Sequence, residues 1–184
     1  MSFYEIALIG AGLAMDALAV SICKGLAMKR MDWGTAAVIA AWFGVFQALM
    51  PMAGSLLGSA FSGLAGMLGP WVAFILLALI GANMIRESFS DESEKVNDSI
   101  AFKVMLPLAV ATSIDALTVG VSFGLLGVNA FSAALLIGAI TFVICVFGVR
   151  LGNSLGEKLG SRAELAGGLV LIIIGLKILL EHLL

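Results

Sequence analysis

The chain has 184 residues, 61% of them hydrophobic and only 12% charged, with 22 glycines and a mean hydropathy of +1.14. This makeup excludes a soluble domain and points to an integral membrane protein. A net charge of −2, with no basic stripe interleaved with aromatics, excludes a nucleic-acid surface.

Six all-α spans are expected in chain order, near residues 3–27, 34–57, 70–88, 102–126, 129–151 and 165–183. The first begins after Ser2, Phe3, Tyr4 and Glu5, without the basic lead of a secretory signal, so it is expected to be a retained helix. No acidic or basic residue occurs between Trp33 and Ile85, and only Asp115 between Val104 and Val149. The short alternating segments of a β-barrel are missing. The Gly-rich stretch 58–70 suits a turn or a shallow re-entrant piece. Residues 90–101, with Asp91, Glu92, Glu94, Lys95 and Asp98, read as a solvated cytoplasmic linker.

The linker divides one membrane domain into two three-helix repeats, 1–89 and 102–184. MDALAVSICKG (Met15–Gly25) and SIDALTVGVSFG (Ser113–Gly124) fall in register when Asp16 is set on Asp115. Phe43 and Phe142 then pair, and GANMIRE (Gly81–Glu87) resembles GLKILLE (Gly175–Glu181). An odd number of spans per repeat makes the two halves enter the membrane from opposite sides, the inverted-repeat plan of secondary transporters. Of ten Lys and Arg, nine lie beside the loops after the first, third and fifth spans, which predicts cytoplasmic loops there and both termini outside. Lys177 alone departs from this pattern.

A carboxylate at bilayer depth costs about 2.5–3.5 kcal/mol by insertion scales, so two placed symmetrically point to use. Thr112, Asp115, Thr118 and Ser122 form a polar stripe on the fourth span, and Gly12, Asp16 and Ala19 lie on the matching side of the first, where small neighbours suggest a close approach of the two helices. Pro51 deprives the second span of a donor and frees a carbonyl near Gln47, whose amide is a further candidate ligand or an interhelical tie. Met50 offers a thioether, although Met in a helix usually packs. Asn83, aligned with Lys177, is a further candidate; Lys177 itself fits a snorkelling cation or a counter-ion to the aspartates. Arg86 and Arg150 suit interfacial anchoring. The glycine series at Gly54/Gly58, Gly120/Gly124 and Gly148/Gly152/Gly156/Gly160 reads as close helix packing. Cys23 and Cys145 do not correspond between the repeats and read as buried free thiols.

Two carboxylates facing each other in a low-dielectric site repel unless a proton or a cation neutralises one of them. The oxygens of Asp16, Asp115, Thr112 and Gln47 suit Mn²⁺, Mg²⁺ or Ca²⁺ as a transported substrate, with no prosthetic group required. An intramembrane aspartyl hydrolase is disfavoured by the residues preceding each aspartate, and a thiol-redox carrier by the unmatched cysteines. An exporter of amino acids or other small solutes is the alternative, with Lys177 the sole cation near the core.

The paired aspartate words, FGVFQALMPMAG (Phe43–Gly54), the IGANMIRES stretch ending at Ser88 and the six-span length together resemble the MntP family of manganese efflux pumps, within the wider group of LysE-like exporters. The resemblance covers nearly the whole chain. It implies Mn²⁺ efflux across the bacterial inner membrane, with Asp16 and Asp115 as the acidic pair, a transporter rather than an enzyme. Displacement of protons by the arriving ion would make the transport an antiport. The sequence leaves the oligomeric state open.

Overall fold

In a computed structural model, the described residues are 2–28, 30–57, 100–125 and 128–159, with scattered helical positions between 71 and 85 and between 165 and 180. Five helices lie in the continuous segments: α1 (Phe3–Leu26), α2 (Trp33–Leu57), α3 (Phe102–Ala111), α4 (Ile114–Leu125) and α5 (Ala130–Leu159). Three of these, α1, α2 and α5, are long and apolar enough to cross a membrane, and the bent pair α3–α4 supplies a further candidate span. The expected third and sixth spans, the 58–70 segment and the linker lie largely or wholly outside the described residues.

Local chemistry sets the helix starts. Ser2 and Glu5 form a capping box, with the Glu5 N–H donating to Ser2 Oγ (3.3 Å) and the Ser2 N–H to Glu5 Oε2 (2.7 Å). Asp32 caps α2: its carboxylate accepts from the N–H groups of Gly34 (3.2 Å) and Thr35 (2.9 Å) and from the Thr35 hydroxyl (2.6 Å). These bonds hold the Asp32 carboxyl below its ordinary value of 3.8.

Two helix boundaries depart from expectation. The fourth span, expected as one helix over 102–126, breaks after Ala111 and resumes at Ile114, with the two pieces bent by 47°. The adjacent hydroxyls explain it. Thr112 donates to the Leu108 carbonyl (3.0 Å) and Ser113 to the Ala109 carbonyl (2.6 Å), the back-bonding that bends helices, and Pro107 upstream removes another ladder donor. The fifth span, expected to end near 151, continues to Leu159 because its glycines stay seated on α1.

Glycine contacts fix how the helices run. A Cβ on Gly148 would meet Leu18 and Ser21, one on Gly152 the Ile22 carbonyl, and one on Gly156 the Leu26 carbonyl. Partner numbers rise together, so α1 and α5 are parallel, with Gly25 of α1 received by Val149 and Asn153. By the same reading α2 and α4 are parallel, since Gly120 meets Pro51 and Gly124 meets Ser55. At the α2–α5 seam, Gly44 meets Gly138 and Phe142 while Gly138 meets Ala48, the mark of an antiparallel pair. That direction also brings the Arg150 guanidinium over the ring of exposed Trp33, 5.5 Å from its centroid. The buried Asn153 amide ties the end of α1 by donating to the Met28 carbonyl at 2.9 Å.

The seams are tight enough that one methyl group decides. Gly152→Ala forces the Ile22 carbonyl away and is expected to cost about 1–3 kcal/mol, whereas Gly12→Ala meets nothing within 4 Å and should be neutral apart from its helix-propensity gain. Thermal unfolding in detergent, with equal melting temperatures for both variants, would contradict this account of the seam. The Asp32 cap carries a pH signature. Its depressed pKa gives stability that is present above the unfolded value and lost as pH falls through the folded one. Asp32→Ala is therefore expected to lower the melting temperature at pH 7, with the gap from the parent closing as the buffer is taken below the ordinary aspartate range. A gap that persists there would exclude the carboxylate as its cause.

Candidate cation site

Asp16 sits half-buried midway along α1, and Asp115 lies in the first turn of α4 immediately after the break. The two carboxylates are within electrostatic range of each other. The close approach of the first and fourth spans expected around Gly12 is not found. The glycine seam of α1 is made with α5 and that of α4 with α2, and Gly12 looks onto open space. The physical reason lies in where the other glycines fall, since they draw each aspartate helix against a different neighbour. Asp115, Thr118 and Ser122 share one accessible edge of α4, as the helical spacing predicts.

Gln47 of α2 is 1% exposed and reaches across to α1, where its Nε2 donates to the Leu13 carbonyl at 3.0 Å. Leu13 lies three residues before Asp16. Since a carbonyl can only accept, this bond sets the amide orientation, and the Gln47 Oε1 is left buried with no hydrogen-bond partner among the described residues. A buried amide oxygen without a donor costs stability unless another group uses it. Gln47 is thus both the interhelical tie and a candidate oxygen donor.

Thr112 is buried at the break, and its hydroxyl is committed to the Leu108 carbonyl. Met50 is partly buried against the apolar cluster of Leu13, Ala116, Phe123, Ala133 and Ile137. Asn83 lies outside the described residues. Lys177 is exposed and takes part in a polar or electrostatic interaction. Cys23 and Cys145 are buried free thiols, as expected, and Cys145 lies against the Ser21 hydroxyl.

Among the described residues no group of three or more His, Cys, Asp or Glu side chains comes together. Among these residues, a cation held by the aspartate pair would draw its further ligands from neutral groups or water. One element escaped the sequence reading, the helix break beside Asp115. Its signal was present in the run Thr112–Ser113 and in Pro107, whose effects an apolar-window reading overlooks.

Residues 30–179 match the protein family described as "Putative manganese efflux pump". Relatives carrying that description with the name MntP include one from Mannheimia succiniciproducens, 50% identical over 99% of this chain and 98% of its own length. Another, from Desulfitobacterium hafniense, is 51% identical over 100% of this chain and 97% of its own. A third, from Campylobacter jejuni, is 49% identical over 100% of this chain and 98% of its own. No solved structure matches the chain. With that coverage and identity, the chain belongs to the MntP family of manganese efflux pumps.

Proposed function

We propose that this chain is a secondary transporter that exports Mn²⁺ across the bacterial cytoplasmic membrane and carries the ion between Asp16 and Asp115. The observation that carries the reading is the pairing of two carboxylates from different helices, within electrostatic range of each other in an otherwise apolar bundle. Mutual repulsion favours a divalent cation there, and oxygen-only ligands favour a hard or borderline ion. The buried Gln47 Oε1 is the third ligand in this reading, and membership of a manganese efflux family supports the choice of cargo.

The six-span inverted repeat is part of the same proposal. The register that sets Asp16 on Asp115 carries Ile22 onto Val121 and Gly152 onto Ala53, one residue from Gly54. Gly152 packs on Ile22 and Gly54 packs against Val121, so the parallel α1–α5 and α4–α2 pairs behave as counterparts. The antiparallel α2–α5 seam runs between them, where a two-fold axis in the membrane plane would pass. The basic residues put the Lys24–Arg30 loop in the cytoplasm and both termini outside.

In the proposed cycle Mn²⁺ arrives from the cytoplasm, displaces protons from the aspartate pair and is exposed outward as the helices around the pair rearrange. Reprotonation from outside then favours release. The family is one of transporters, and no catalytic role is assigned to the aspartates.

Inside-out vesicles containing the parent chain are expected to accumulate Mn²⁺ ahead of Mg²⁺, Ca²⁺ and Zn²⁺, with Asp16→Asn and Asp115→Asn each lowering the rate at least about tenfold, or roughly 1.4 kcal/mol. Unchanged uptake by either well-folded variant would overturn the paired site. At fixed membrane potential, an acidic vesicle lumen should speed uptake, and indifference to the pH gradient would remove the proton step. Gln47→Leu is expected to raise the Mn²⁺ half-saturation concentration about tenfold. An unshifted value would leave Gln47 as a helix tie alone.

A further inference from the structure

The two aspartate helices differ at one place that the repeat register makes comparable. In the first half α1 runs unbroken past Asp16, and the Leu13 carbonyl accepts the Gln47 amide. In the second half the register puts Thr112 in the place of Leu13 and Val146 in the place of Gln47. Val146 has no amide to donate, and it packs partly buried against a cluster that includes Leu108 and Ala109.

The helical donor for the Thr112 carbonyl would be the Ala116 N–H, but that group donates to the Asp115 carboxylate at 2.8 Å. The main-chain bonds at the break are Thr112 N–H to the Leu108 carbonyl, Ser113 N–H to the Val110 carbonyl and Leu117 N–H to the Ser113 carbonyl. The two hydroxyls also turn back onto α3. All of these bonds bypass the Thr112 carbonyl. At membrane depth such a carbonyl is tolerated only where protein or a cavity gives it a partner, and unwound carbonyls of discontinuous helices are cation ligands in transporters.

We propose that the main-chain carbonyl of Thr112 is a ligand of the transported divalent cation, set beside Asp115 by the helix break and matched from the first half by the orphaned Gln47 Oε1. The inference rests on the reading of Asp16 and Asp115 as the cation-binding pair. It makes the two halves unequal: the first gives a side-chain amide oxygen, the second a main-chain oxygen. It also leaves the Thr112 hydroxyl out of the ligand set, since that group serves the Leu108 carbonyl.

Isotope-edited infrared difference spectra test this on the full chain in lipid nanodiscs. The chain has four threonines, Thr35, Thr112, Thr118 and Thr141. With carbonyl-¹³C threonine, Mn²⁺ loading is expected to move one labelled amide I band to lower frequency. In Thr112→Ser, which keeps the hydroxyl that turns back onto Leu108 and with it the break, that labelled shift disappears while Mn²⁺ still saturates the protein, because the unlabelled serine carbonyl takes the same place. A saturated parent without a shifted labelled band, or a shift that persists in Thr112→Ser, would overturn the assignment. Failure of the underlying reading looks different, because the parent would then bind no Mn²⁺ saturably or would bind it regardless of Asp16→Asn and Asp115→Asn.

Discussion

Two carboxylates brought within electrostatic range inside an apolar bundle form the interaction around which this fold makes sense. At bilayer depth each is costly, and together they repel, so a proton or a cation on the pair relieves the repulsion. No Lys or Arg lies on α2, on α4 or in the apolar run of α5 before Arg150, where the chain supplies neutral oxygens. In the proposed site the orphaned Gln47 amide oxygen and the helix break beside Asp115 both raise the cost of the metal-free state, and a bound divalent cation would lower both costs at once. A fixed ammonium would hold the pair neutral in every state and leave a cation little advantage.

The glycine seams give that site its setting. Because α1 is drawn onto α5 and α4 onto α2, the aspartate helices are held by different neighbours. In a membrane, where apolar burial drives little association, close backbone contact of this kind is the main source of helix adhesion. All three seams, α1 with α5, α2 with α4 and α2 with α5, join a helix of the first half to one of the second, and the crossing at Gly44 and Gly138 is as close as the others, so the two halves interlock.

Much of this was legible in the sequence because the signals were local. The glycine spacing that reads as close helix packing follows from residue type and short-range geometry. The aspartate pair is legible through the repeat, which substitutes for long-range information. Other features were hidden for definite reasons. The fourth span reads as one apolar window, and hydropathy does not register that Thr112 and Ser113 can satisfy carbonyls of the preceding turn and end a helix. Gln47 stands out as a polar residue beside Pro51, but only the folded chain reveals that its amide nitrogen is used by Leu13 while its oxygen is not. The expected approach of the first and fourth spans failed because small residues mark a face that can pack without naming the partner it packs against.

The most direct measurement of the central claim is anomalous diffraction at the manganese edge from crystals of the full chain grown with Mn²⁺. The account predicts one strong peak per chain, bonded to carboxylate oxygens of both Asp16 and Asp115. A strong peak away from that pair, or none at a Mn²⁺ concentration that saturates the protein in solution, would contradict it.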